Sequence, residues 1–384
     1  MKKIVFTALL LIFALLLASC GIPTETPTVD DGENGEKIEP KNRMFYEYFD
    51  TVCVFYDYTG GTEAEFKELY TLVEAELKAC HELFDIYHTY AGVSNVKTVN
   101  DMAGGEPIKV DQRFIDLLDF SKDMYAKTSG NVNVMMGAVL SIWHNHRGGI
   151  DFCCDFCDFD GRVEVFGDDA RTNWNCPECG VKNETQLDVP SAKRLTSASA
   201  HTDINSLEIN KDDCTVRIID PNASLDLGAV AKGYTCERIS QMLEERGVFA
   251  YALDFGGNLR VGEKLSGEGW KSAIKNPDIW ADDPYIKILD VKNAALVTSG
   301  SYERFYTVDG VRYHHIINKD TLMPENRYTS VSILTPTSGV ADALSTAFFN
   351  MTEEEILQTL KVFASTEVTL VYPDGRVEVL GANA

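Results

Sequence analysis

The chain has 384 residues, 45% of them hydrophobic and 24% charged, enough for one large core or two modest ones and too apolar for wholesale disorder. Its formal net charge of −24 would repel a polyphosphate backbone, and no Lys/Arg-rich run or basic aromatic stripe offsets it. Nucleic acid is therefore not an expected partner.

Lys2 and Lys3 precede an apolar run from Ile4 to Ala18 that is too short for a comfortable membrane span and reads as a signal peptide over residues 1–19. Leu17-Ala18-Ser19-Cys20-Gly21 closes it with small residues before a cysteine, as in a bacterial lipobox, where Cys20 would carry the lipid. An ordinary cleavage site beside a chance cysteine is the alternative. Residues 20–42, rich in Pro, Thr, Gly and acidic side chains without apolar periodicity, predict a flexible tether. No later apolar run reaches span length, so residues 43–384 are expected to form a soluble, extracytoplasmic body that the lipid anchors to the cell membrane.

Phe66, Leu69, Val73, Leu77 and Phe84 recur near the helical period and predict a long amphipathic helix from Thr62 to His88. Phe114, Leu117, Leu118 and Met124 predict a second from Arg113 to Lys127. Between Gly149 and Thr185 lies a segment with two Cys-x-x-Cys pairs, Cys154 with Cys157 and Cys176 with Cys179. That spacing, with Gly180 placed for a tight knuckle, predicts a structural Zn²⁺ held by four thiolates in a ribbon over residues 150–184. Cys153 could replace Cys154, and a pair of disulfides is the rival reading in an oxidising compartment.

Thr215 to Ile219 alternates like a half-buried strand, and Leu225-Asp226-Leu227-Gly228 leads into a helix running to about Arg246, with Gly247 as its stop. Phe249 to Phe255 predicts a strand that turns through Gly256-Gly257-Asn258 into a partner, Leu259 to Gly262. Further strands are expected over Ile286 to Val291 and Thr307 to Ile317, and Ala341 to Thr346 opens a last helix. Strand runs interleaved with single helices predict an α+β fold.

Asp226 to Tyr234 sets small residues and glycines at a strand-to-helix junction, where backbone N–H groups can face a phosphate and Lys232 adds a positive charge; tight packing alone is the alternative. Asp342 and Thr346, four residues apart on one helix face, are hard oxygen ligands suited to Mg²⁺, or else an ordinary first-turn charge and a surface hydroxyl. Adjacent His314 and His315 in one strand would face opposite ways, so one of them at most serves a site.

The order of these segments resembles the ApbE family of FAD:protein FMN transferases from about Phe49 to Val371. The resemblance is carried by Phe49-Asp50-Thr51, by Tyr90 with Ser94 and Asn100, and by Ser129-Gly130 through Trp143. It continues through Asp226 to Tyr234, Gly256-Gly257-Asn258-Leu259-Arg260, Thr298-Ser299-Gly300 with Tyr302-Glu303-Arg304, His315-Ile316-Ile317, and Ala341 to Thr346.

It implies an ApbE-like, T-fold-like flavin transferase body of α+β class. FAD would be the substrate, contacted by Asp226, Lys232 and Tyr90, by the Asn131-Val132-Asn133 segment and by Thr298-Ser299-Gly300. Mg²⁺ would be held by the Ala229 carbonyl, Asp342 and Thr346, with Ser345 alongside. His315, directly before Ile-Ile as in the family, would be the general base or would orient a phosphate. The hydroxyl of a target Thr or Ser would attack the phosphorus nearer riboflavin and release AMP. The implied acceptors are subunits of membrane redox complexes or secreted flavoproteins. Hydrolysis of FAD to FMN and AMP, or FAD binding alone, are the competing activities.

Three positions depart from the family pattern. Val132-Asn133 stands where Phe-Asp is usual, Asn318-Lys319 where Asp-Pro is, and Thr321-Leu322 where Thr-Gly is. The first loses a carboxylate, and the last should alter a turn.

Overall fold

The computed structural model describes residues 29–30, 37–148, 150–153, 160–163, 174–176, 178–180, 182–183, 189–308 and 310–382. The expected signal peptide, Cys20, Cys154 and Cys157 lie outside the described residues.

An eight-stranded antiparallel sheet runs through the body, its strands following one another in chain order: β1 (Lys41–Phe45), β2 (Cys53–Asp57), β3 (Tyr251–Phe255), β4 (Asn258–Val261), β5 (Ala294–Gly300), β6 (Ser330–Thr335), β7 (Glu367–Val371) and β8 (Val377–Gly381). The β1 strand begins two residues before the boundary expected at residue 43. Within the stretch read as a tether, Val29–Asp30 pairs with Lys37–Ile38.

Five helices matter for the site: α1 (Glu63–Phe84), α2 (Gln112–Lys127), α3 (Gly137–Gly148), α4 (Ala231–Glu244) and α5 (Ser338–Phe349). The first starts where its sequence says it should. Thr62 accepts from the Glu65 N–H, and Glu65 reaches back to the Thr62 N–H, a reciprocal cap that satisfies two otherwise orphaned donors.

Side-chain alternation splits the middle of the sheet between two faces. Tyr251, Leu253 and Phe255 of β3 pack with Phe66, Val73 and Leu77 of α1 and with Cys236, Ile239 and Leu243 of α4. Ala252 turns the other way, into a cluster with Trp270 and Val291 of a hairpin built from Trp270–Lys275 and Tyr285–Val291. The largest cluster joins α2, α5 and strands β5 to β7.

Ionic clasps tie the helices together. Glu76 of α1 takes Arg238 of α4 at 2.9 Å and Arg113 of α2 at 3.2 Å. Buried Arg260 of β4 sits 3.0 Å from Glu244 and 3.5 Å from Glu237, both on α4, and Glu237 accepts the first N–H of α5, that of Ser338, at 2.8 Å. Neither α4 nor α5 has a side-chain cap of its own, so this borrowed carboxylate stands where the α5 dipole favours negative charge.

One sequence expectation needs correcting. Thr307 to Ile317 is not a single strand but a hairpin, Phe305–Val308 against Val311–His314, with Gly310 at φ +80° in its turn. Asp309-Gly310 is the hairpin signal that the apolar run obscured. Two other strands of the sheet, β6 and β7, are buried runs with little alternation, and period alone does not separate such runs from helix.

At Gly233 two helices touch. A Cβ there would lie 2.4 Å from Asp342 Cβ and 2.5 Å from the Ser338 carbonyl oxygen, so only glycine lets α4 and α5 approach this closely. Gly233→Ala should therefore push the helices apart and destabilise the fold by about 1–3 kcal/mol. A urea midpoint equal to that of the parent protein would show that the contact is not tight.

Candidate active site

A cleft of about 1570 Å³ opens along the sheet, and a smaller cavity of about 50 Å³ lies at its floor. The cavity is where separated segments meet. Lys232 comes from α4, Asn258 from β4, Thr298 and Ser299 from β5, and Asp342 and Thr346 from α5, with Glu303 and His315 arriving from the connection between β5 and β6. At roughly 30 Å³ for a water in liquid, the space suits an ion with a water or a pair of phosphate oxygens.

Its electrostatics call for a cation. Asp342 is buried among protein atoms, and that burial pushes its carboxyl up to about 6, against the opposing pull of Lys232 and the Gly233 N–H. Burial likewise raises Asp226 and Asp254, each helped back only by one N–H bond and by more distant charges. Glu303 is raised too, by desolvation, against Lys232, Arg304 and Lys275. A carboxylate held above its ordinary range by burial is stabilised when a divalent ion replaces the lost solvation.

The donor set fits Mg²⁺. Gly233 N–H, which would otherwise close the first turn of α4 onto the Ala229 carbonyl, instead donates to Asp342 Oδ2 at 2.7 Å. This leaves the Ala229 carbonyl without that donor and Asp342 Oδ1 available, and Thr346 adds a hydroxyl one turn along α5. All three are hard oxygens, with space left for water and substrate. Beside them Asn258, only 1% exposed, accepts the Ser338 hydroxyl on Oδ1 at 2.5 Å, while Nδ2 meets no partner. A buried donor without a partner is costly, and an oxygen-bearing occupant of the cavity would satisfy it. Ser345 is not part of the cavity wall: its hydroxyl donates to the Asp342 carbonyl at 2.9 Å and meets Ser299 Oγ at 2.7 Å. It braces the helix.

Of the two histidines, His314 is 2% exposed and fully engaged. Its Nδ1 accepts the Ile316 N–H at 3.2 Å, which leaves Nε2–H to donate to the Glu325 carbonyl at 2.7 Å. His315 opens onto the water of the cleft and borders both cavities. Desolvation by the protein around it, then the positive charge of Arg304 and Lys232, lowers its basicity, so the ring is neutral near pH 7.

Higher in the cleft, Tyr90 donates to Asp85 Oδ2 at 2.7 Å and meets His81 Nε2 at 3.3 Å, while His81 Nδ1 accepts the Phe49 N–H. Phe49 and Asp50 both stand in the left-handed region, at φ 55° and 50°, strain of the kind that collects at functional sites. Asn131 and Asn133 line the cleft, whereas the Val132 side chain is buried in the main core and does not face it. Asn133 accepts from Met135 N–H and donates to the Thr202 carbonyl, both at 2.9 Å, and an Asp could not make the second bond. Asp226, Ala229 and Thr298 line the cleft, and Ser299 and Gly300 the small cavity. The same cleft is lined by an aromatic stack, Trp143 on Tyr313 and Tyr313 on Tyr306. His81 and Glu325 were not singled out in the sequence, because only the folded chain brings them to Tyr90 and His314.

The raised carboxyl of Asp342 has a consequence for stability. Because the folded state holds its proton more tightly than the unfolded chain does, its contribution is fully present below the ordinary carboxylate range and is lost as pH rises through about 6. Metal-free Asp342→Asn, which removes the charge and keeps an acceptor for Gly233, should melt higher than the parent at pH 8, by on the order of 2–3 kcal/mol, and equally at pH 4. No gain at pH 8 would mean that the carboxylate is better solvated than its burial indicates.

The ApbE family model matches residues 54–370. A protein of Treponema pallidum named FAD:protein FMN transferase is 29% identical over 299 residues, 74% of this chain and 72% of its own length. One of the same name from Klebsiella pneumoniae is 26% identical, covering 93% of this chain and 89% of its own. Among solved structures, the ApbE protein of Thermotoga maritima superimposes with a TM-score of 0.67 at 24% identity, over 88% of this chain and 96% of that one. The flavin transferase ApbE of Vibrio cholerae does so with a TM-score of 0.66 at 22% identity, over 90% and 98%. With a match that spans most of its length and a shared fold, this chain belongs to the ApbE family.

Proposed function

We propose that this chain is an FAD:protein FMN transferase that cleaves the FAD diphosphate and joins FMN to a Thr or Ser hydroxyl of an acceptor flavoprotein. The observation that carries the reading is the convergence of Asp342 and Thr346 with Lys232, the α4 start and His315 around one small polar cavity at the floor of a large cleft. In this reading Asp226 and Lys232 contact FAD, Tyr90 and the 131–133 segment flank the flavin, and the Thr298-Ser299-Gly300 backbone runs beside the phosphates.

Mg²⁺ bound by Asp342, Thr346 and the Ala229 carbonyl would neutralise charge on the diphosphate oxygens. Neutral His315 takes the proton of the attacking hydroxyl as the new O–P bond forms at the phosphorus nearer riboflavin and the P–O bond to AMP breaks. Lys232 steadies the leaving phosphate. The cleft volume of about 1570 Å³ exceeds the usual 300–1,000 Å³ of a small-molecule pocket, which leaves room for a ligand as large as a dinucleotide.

Lipidation of Cys20 would tether this body outside the membrane, within reach of flavoprotein subunits of membrane redox complexes or of secreted flavoproteins. For Zn²⁺, support comes from two small hairpins. Ile150–Cys153 pairs with Asp160–Val163 and Trp174–Asn175 with Lys182–Asn183, so each Cys-x-x-Cys falls in sequence between two paired strands. Gly180 N–H closes on the Cys176 carbonyl at 2.9 Å.

Incubation with FAD, Mg²⁺ and a candidate acceptor should give a covalently flavinylated acceptor and AMP. FMN released with no acceptor labelling would support hydrolysis instead, and unchanged FAD would support a binding protein. Asp342→Ala should abolish turnover, and His315→Ala should lower it about 10²–10⁴-fold while FAD still binds. Metal analysis of the purified protein should find one zinc per chain, and intact disulfides at Cys154, Cys157, Cys176 and Cys179 would contradict that part.

A further inference from the structure

His315 sits at the head of a loop, residues 315–326, that closes through its own backbone hydrogen bonds. Asn318 N–H donates to the Met323 carbonyl at 2.9 Å, Leu322 N–H donates to the Asn318 carbonyl at 2.8 Å, and Ile317 bridges to Pro324. Leu322 adopts φ 61°, the left-handed conformation that glycine would take without strain. Its carbonyl accepts the Trp143 indole N–H at 2.9 Å, and its side chain packs in the cluster of Met136, Val139 and Trp143.

One residue grips this loop on both sides of His315. Glu325 accepts from His314 Nε2 through its carbonyl at 2.7 Å and donates its N–H to the Ile316 carbonyl at 3.1 Å. Its carboxylate takes Asn318 Nδ2 on Oε2 at 2.9 Å and the Arg327 N–H on Oε1 at 3.1 Å. Asn318 meanwhile accepts from the Asp320 and Thr321 N–H groups, at 2.9 and 3.1 Å, through Oδ1. An aspartate could accept those two bonds equally well. It could not donate to Glu325, and would set a second carboxylate at hydrogen-bond distance from it.

We propose that Asn318 and Glu325 are a matched pair of positioning residues that fix the His315 ring over the small cavity, the Asn318 amide donating to the Glu325 carboxylate opposite it. The coupling to the metal helix runs through His314, whose ring meets Phe349 of α5 edge-on at 5.6 Å. The inference rests on the reading of His315 as the proton acceptor.

The test is a pair swap in the full chain. Asn318→Asp should lower kcat about ten-fold or more, with FAD affinity little changed, because a part-buried charge-assisted bond becomes a repulsion. Glu325→Gln alone should fall between the parent and Asn318→Asp, since its one amide oxygen can accept from Asn318 or from the Arg327 N–H but not from both. The double variant Asn318→Asp/Glu325→Gln, whose glutamine can donate to the new carboxylate, should recover to within about three-fold of the parent. The His315 ring resonances, assigned by their loss in His315→Gln, should titrate differently in Asn318→Asp and return to the parent curve in the double variant.

That second readout needs no turnover, so it separates failure of the pair from failure of the transferase reading. Parent-like kcat and parent-like His315 titration in Asn318→Asp, or a double variant no better than the single, would overturn the proposal. Should Asn318→Asp not fold, the double variant decides: folded with a parent-like His315 curve supports the pair, and unfolded overturns it.

Discussion

The contact between the Gly233 N–H and Asp342 Oδ2 at 2.7 Å holds the rest of the site in register. It joins the start of α4 to the second turn of α5 through the Asp342 carboxylate, with no side chain on the Gly233 side. Three effects follow from this one bond. The α4 backbone is diverted from its own first turn, which leaves the Ala229 carbonyl open. The carboxylate is drawn in among protein atoms, where its charge lacks solvent. Lys232, the residue before Gly233, is fixed at the mouth of the same cavity. The helices can meet this way only because Glu237, Arg260 and Ser338 lock their flanks and because position 233 carries no Cβ.

Burial of Asp342 is a cost to the metal-free fold, and the chemistry gives it a purpose. A carboxylate that is poorly solvated while empty gains more from a divalent ion than an exposed one does, since little hydration has to be surrendered. Raised carboxyls at Asp226, Asp254 and Glu303 extend the same preference around the cleft, and His315, stripped of basicity by its surroundings, stays neutral beside them. Poorly solvated carboxyls beside a neutral imidazole make the cleft favourable to a cation.

Much of this was legible in the sequence, for identifiable reasons. Asp226 to Tyr234, Gly256 to Arg260, Thr298 to Arg304, His315 and Ala341 to Thr346 are local signals, with side-chain identity and spacing set by backbone geometry, and the fold brings part of each to the cleft or its floor. Arg260 instead holds α4 from beneath, a role no spacing reveals. The long helices were readable from period, and the reciprocal cap at Thr62 and Glu65 marks where the first begins. What escaped depended on distant partners. Val132 turns into the core, Ser345 bonds to Ser299 rather than facing the cavity, and His81 meets Tyr90 only once α1 has folded back on the loop after it. The three departures from the family pattern read as losses in the sequence and prove to be rebuilt: Asn133 finds the Thr202 carbonyl, Asn318 finds Glu325, and Leu322 keeps the left-handed turn and fills a hydrophobic gap beside Trp143.

The central claim is spatial: one divalent ion seated between the Ala229 carbonyl, Asp342 and Thr346. Crystals grown with ADP and Mn²⁺ in place of Mg²⁺ would locate it directly by anomalous scattering. The account predicts a single strong peak at ligand distance, about 2–2.5 Å, from oxygens of all three residues and from a phosphate oxygen. A peak elsewhere in the cleft, with Asp342 bonded to Gly233 alone, would contradict it.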